Sequence, residues 1–167
     1  MADTSQIESM GLVSPEQYAK TISYYSYPGS KTKGFLTEMT PQEYLSLTTK
    51  DAEHQKRIAD ESQKLGGFDI KKFQAEHLPY LDVNEKGKVV DHEGRHRAYL
   101  LQQAGVKRFP VVISVPKAQT ELPTRVLQSQ FTPATHAVST VLPLGPAQQI
   151  MQGMVAPLQQ VKKATAP

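Results

Sequence analysis

Between Pro79 and Val115 the chain changes its residue pattern again and again, and the order of those changes limits the fold more than any other feature. Pro79–Val83 is short and apolar, as a strand would be. Asn84-Glu85-Lys86-Gly87 is a turn ending on glycine, and Lys88-Val89-Val90 starts a second strand, so the two read as a hairpin. Asp91-His92-Glu93-Gly94-Arg95-His96-Arg97 follows. Ala98–Ala104 then places Leu100, Leu101 and Ala104 on one helical face. Gly105 stands where a left-handed residue ends a helix, with Val106 as its apolar companion. Phe109–Val115 reads as a buried strand. Strand, turn, strand, glycine junction, helix and strand predict an α+β fold: a small mixed β-sheet with packed helices.

Upstream, two proline-bearing caps mark helix starts. Ser14-Pro15-Glu16-Gln17 opens a helix running to about Tyr24, and Thr40-Pro41-Gln42-Glu43 opens one carrying Tyr44, Leu45 and Leu47. Tyr25–Gly34 reads as loop, turning at Pro28-Gly29. Asp51–Lys64 is a polar helix stopped by Gly66-Gly67, and Asp69 caps a short helix with Ile70 and Phe73.

Downstream the composition shifts. Of the 12 prolines, 7 lie at or after Pro116, in a stretch rich in Gln, Ala, Thr and Val that shows no sustained period beyond a short helix at Ala147–Met154. The expected partition is an N-terminal helix and loop (1–33), an α+β domain (34–115) and an extended C-terminal arm (116–167). The arm's spaced apolar residues (Val138, Val141, Leu142, Leu144, Ile150, Met151, Met154) suit binding along a neighbouring protein.

Charge and cysteine content remove several function classes. The formal net charge is +3, but residues 1–115 balance 15 Lys/Arg against 15 Asp/Glu, and the excess lies in Lys117, Arg125, Lys162 and Lys163 against Glu121. Scattered charges of this kind, the Lys162-Lys163 pair included, are a thin footprint for nucleic acid. With no cysteine, disulfides, thiolate zinc sites and cysteine nucleophiles are excluded. Met1–Ser9 has neither the basic nor the apolar segment of a secretory signal. No apolar run approaches the roughly 18–20 residues that span a bilayer, so no membrane partner is expected. P-loop and Rossmann glycine patterns are missing. Tyr24-Tyr25-Ser26-Tyr27 offers rings for base stacking, though such clusters more often pack or form interfaces.

Val89–Arg97 carries the chemistry. A strand ends, Gly94 allows a sharp turn and a helix begins; free N–H groups at a helix start favour an anion. Arg95, His96 and Arg97 add donors there, and an arginine fork suits phosphate oxygens. Asp91 and Glu93 stand immediately before, where carboxylates could act as a base or hold a metal ion. The expected ligand is a nucleotide or another phosphorylated molecule, a nucleoside triphosphate with Mg²⁺ being one form. Surface ion pairs between these arginines and acids are the plainer alternative, worth about 0–1 kcal/mol each.

Val89-Val90-Asp91-His92-Glu93-Gly94-Arg95-His96-Arg97-Ala98, with Gln103-Ala104-Gly105 ending the helix and Pro110-Val111-Val112 beyond, resembles the ParB/sulfiredoxin-like fold family. The resemblance covers roughly residues 78–115, with weaker support over Gly34–Leu47. It implies a nucleotide- or phosphate-binding module in which Gly94, Arg95, His96 and Arg97 form the cradle. The segment is also similar to modules of large bacteriophage polyvalent proteins, which implies a bacterial cytoplasm or a virion as the location. Sulfiredoxin chemistry needs a cysteine where Arg95 stands, and ParB proteins continue into a helix-turn-helix where this chain becomes proline-rich. Sulfinic-acid repair and chromosome partition are therefore not implied.

Two other readings compete. One is a structural or minor virion protein that uses its arm to bind neighbouring subunits. The other is a zinc hydrolase, because His92-Glu93-Gly94-Arg95-His96 matches H-E-x-x-H. Zinc there needs His92 and His96 on one helix face, which Gly94 opposes by about 1 kcal/mol. A third ligand would have to come from Glu121 or His136.

Overall fold

The computed structural model describes residues 7–26, 28–118 and 126–144. The helix expected at Ala147–Met154, the distal arm, Lys162-Lys163 and Glu121 lie outside the described residues, as does the start of Met1–Ser9. The fold is α+β. A five-stranded mixed sheet runs in the order β3-β2-β4-β1-β7. β1 is Thr32–Met39, β2 is Tyr80–Val83, β3 is Val89–Glu93, β4 is Phe109–Pro116 and β7 is Leu142–Pro143. β5 (Val126–Gln128) and β6 (Thr135–Ala137) form a separate antiparallel pair.

β4 is the spine of the sheet. It pairs antiparallel with all of β1 and parallel with β2. Every residue from Phe109 to Val115 is buried, because strands flank it on both sides and apolar layers cover both faces. One layer holds α2 (Pro41–Thr48), α3 (Ala52–Gln63) and α5 (Arg95–Gln103). From it Tyr44, Leu47, Ile58, Ala98 and Leu101 pack onto Met39, Phe109 and Ile113. On the opposite face α1 (Pro15–Ser26) sets Tyr18, Ile22 and Tyr25 against Leu36, Val112 and Leu144.

The helix starts follow their local chemistry. Thr40 Oγ1 accepts from Glu43 N–H at 3.1 Å, and Asp51 Oδ1 accepts from His54 N–H at 2.8 Å. Asp69 caps α4 (Ile70–Gln74), accepting from Lys71 N–H at 2.9 Å. At the end of α5, Val106 N–H closes on Leu101 O at 3.0 Å, the Schellman bond expected beside Gly105.

Two expectations are corrected. Tyr25–Gly34 is not all loop: α1 continues to Ser26 and β1 begins at Thr32. The stretch after Pro116 is not wholly an extended arm either. Its described part carries β5, β6 and β7, and Leu127, Val138 and Leu144 are buried in the core. Leu144 N–H bonds to Gly34 O at 3.0 Å, and Thr37 Oγ1 donates to Thr140 O at 2.6 Å, so this stretch is tied to β1. His136 of β6 pairs with Glu43 of α2.

Candidate functional site

β3 ends and α5 begins at Gly94, whose φ of 131° and ψ of 12° lie where side-chain-bearing residues rarely go. A Cβ there would stand 2.6 Å from the Pro79 Cβ and 3.2 Å from the Tyr44 hydroxyl. Tyr44 is fully buried, and its hydroxyl lies 2.7 Å from Glu93 O and 3.0 Å from Tyr80 O, donating to one at a time. The α2 tyrosine thus bolts the ends of β2 and β3 together just before the turn. Burial, with Glu93 nearby, drives its own pKa well above the ordinary phenol value.

The first intrahelical bond of α5 runs from Ala98 N–H to Gly94 O at 2.8 Å. The N–H groups of Arg95, His96 and Arg97 therefore precede the helical ladder, as an anion site at a helix start requires.

The strand and the helix send their side chains apart. Cross-strand partners share a face. His92 pairs with Leu81 and so lies on the α3–α5 side, whereas Asp91 and Glu93 pair with Asp82 and Tyr80 on the other. Arg95 reaches α3: its Nη1 stands 2.9 Å from His54 Nε2 and 3.4 Å from Thr48 O. His96 Nε2 meets Glu61 at 3.0 Å.

Arg97 goes elsewhere. It donates to Glu93 Oε2 at 2.6 Å and to His77 O at 2.9 Å, with its guanidinium 5.6 Å from the Phe73 ring centre. Its side chain is only 12% exposed. Arg97, expected as the second phosphate clamp, is thus ion-paired here with Glu93, expected as a base or metal ligand. A cavity of about 290 Å³ opens between this tie and α4, lined by Phe68, Phe73, Leu100 and Lys72 among others.

The zinc arrangement is not formed. His92 is in β3 and His96 in α5, so they share no helix face; His136 is engaged with Glu43. Among the described residues no group of three His, Asp or Glu is arranged to hold a metal ion.

Arg95 sits among charges of both signs, with Arg57 and Glu61 acting on it and Lys50 and Asp51 acting on neighbouring His54. Lys50, His54 and Arg57 approach from α3 and the residues before it, none of them singled out by the sequence pattern, in which α3 reads as a solvated polar helix. The His54 pKa is lowered by burial and by Arg95, Arg57 and Lys50. Burial also lowers that of Arg95, and among the described residues no carboxylate lies within ion-pair distance of it. No protein-family model, curated protein or solved structure matches the chain. No described helix is long and apolar enough to cross a membrane.

Histidine protonation sets an expected pH dependence. His54, His77, His92 and His136 all have pKa values below the ordinary 6.5, burial being the main cause in each. The unfolded chain thus takes up these protons at higher pH than the folded one. Stability from the neutral rings is complete above 6.5 and is lost as pH falls through 6.5 toward the folded values. The raised carboxyl of Asp82 acts in the opposite sense, nearer the carboxylate range. Thermal melts across the imidazole window should show Tm falling on acidification; a Tm that rises there would contradict this.

Proposed function

We propose that the start of α5 binds the phosphate group of a nucleotide or another phosphorylated ligand, in the manner of the ParB/sulfiredoxin-like reading. Arg95 is the clamp, and the N–H groups after Gly94 are the cradle. Arg57 supplies further positive charge, His54 stays neutral as a hydrogen-bonding ring, and Arg97 holds the turn in shape.

One observation carries this reading. Lys50 N–H points at His54 Nδ1 at 3.1 Å, while Arg95 Nη1 points at His54 Nε2 at 2.9 Å. A neutral imidazole has one accepting nitrogen, so it cannot serve both donors. One side is left with donor facing donor beside a half-buried cation that makes no ion pair among the described residues. An anionic oxygen between Arg95 and His54 accepts from both and removes the conflict.

The test is a thermal-shift panel of the full chain with inorganic phosphate and nucleoside triphosphates, with and without Mg²⁺. A ligand at about 100 times its Kd adds about 2.7 kcal/mol. Arg95→Ala should weaken binding by about 10–100-fold, the worth of a charge-assisted bond, while leaving the ligand-free Tm within a few degrees. Equal stabilisation of both proteins, or of neither, would overturn the proposal.

A further inference from the structure

The sheet face opposite Arg95 carries a second unusual arrangement. Three rings from three segments form a ladder. Tyr24 of α1 stacks on His77 with centroids 5.5 Å apart, and His77 stacks on Tyr80 of β2 at 5.9 Å, both with planes 26° apart. Tyr24, the outermost, is 51% exposed. Beside the ladder two acids face each other: Asp82 of β2 is the cross-strand partner of Asp91 of β3. Like charges directly opposite on adjacent strands repel.

Neither acid is compensated from within. Among the described residues no Lys, Arg or His lies within ion-pair distance of Asp82 or Asp91, whereas neighbouring Glu93 is held by Arg97. Ser114 adds an independent sign of a missing partner. It is the register neighbour of Asp82 on β4 and 2% exposed, and its Oγ makes no hydrogen bond. Burial opposes the charge on Asp82, as does Asp91, while the adjacent Ser114 hydroxyl favours it.

We propose that this face binds an organic cation, an alkylammonium or guanidinium group, with Asp82 and Asp91 supplying the charge and the Tyr24–His77–Tyr80 ladder the π surface. Stacked rings next to paired carboxylates suit a cation with apolar edges, which gains from both. A hard metal ion takes oxygen ligands and gains nothing from the rings, and no three-residue metal group is present among the described residues. The cation comes either from a free polyamine or from a basic side chain of a protein partner.

The test follows backbone amide resonances of the full chain on titration with spermidine, with N-acetyl-argininamide and with MgCl₂. Saturable shifts centred on Tyr80, Asp82 and Asp91 are expected with the organic cations. The tighter of the two identifies the source as free polyamine or protein side chain. Asp82→Asn with Asp91→Asn should bind about tenfold more weakly or worse, and Tyr24→Ala several-fold more weakly. The double variant removes a repulsion, so it should melt no lower than the parent, which separates loss of binding from loss of fold. Arg95→Ala, across the sheet, should change nothing here. Absence of saturable shifts, shifts unchanged in the double variant, or displacement of the organic cation by equimolar Mg²⁺ would each overturn the proposal.

Discussion

Gly94→Ala is expected to cost about 3 kcal/mol, from backbone strain and overpacking together. At the usual conversion for a chain of this size, Tm drops by about 6–12 °C. Two independent penalties meet there. The φ of 131° is unfavourable for any L side chain, and the added methyl would sit 2.6 Å from the Pro79 Cβ, on a ring that cannot swing aside. Relief by shifting β2 would pull Tyr80 O off the Tyr44 hydroxyl. Thermal and urea unfolding of the variant measure this directly; a loss below about 1 kcal/mol would mean that the turn relaxes into an ordinary helix start.

Arg97→Met is expected to cost about 2–3 kcal/mol. Glu93 is 43% exposed, so its ion pair contributes at the surface scale of about 1 kcal/mol. The remainder is the stranded His77 carbonyl and the lost stacking on Phe73, each worth about 1 kcal/mol. Arg97→Lys should recover little, because one ammonium cannot reach Glu93 and the carbonyl in the geometry of a planar fork. Urea midpoints at constant m-value read the loss. If Arg97→Lys kept full stability and instead weakened phosphate binding, Arg97 would be a clamp and not a tie.

Local chemistry made much of this fold readable from the residues. Thr40 and Asp69 cap the helices they were expected to cap, because a short polar side chain before an N–H ladder acts within one turn. The β2–β3 hairpin and the Gly94 junction are likewise short-range. β1 was not readable. Its sequence Thr32-Lys33-Gly34-Phe35-Leu36-Thr37-Glu38-Met39 mixes charge with glycine, and it is a strand because β4 pairs with it along its whole length. β5–β7 are three residues or fewer, too short to show a period, and they form by docking on other elements.

The site divides in the same way. Gly94 and the basic run after it were visible, but the destination of each side chain was not. Consecutive helical residues point about 100° apart, so Arg95, His96 and Arg97 separate to His54, Glu61 and Glu93. Which of them keeps its charge free depends on α3 and α4, which lie outside the motif.

The pairing of β1 with β4 also bears on how the chain is made. A ribosome releases β1, with Phe35, Leu36 and Met39, before it has built four helices and the β2–β3 hairpin that precede β4. At about 5–20 residues per second, β1 waits several seconds for its partner. For that interval both its edges and its apolar face are open to whatever binds nascent strands. Newly synthesised chains stalled before Phe109 should therefore associate with holdase chaperones, and chains extended past Pro116 should release them.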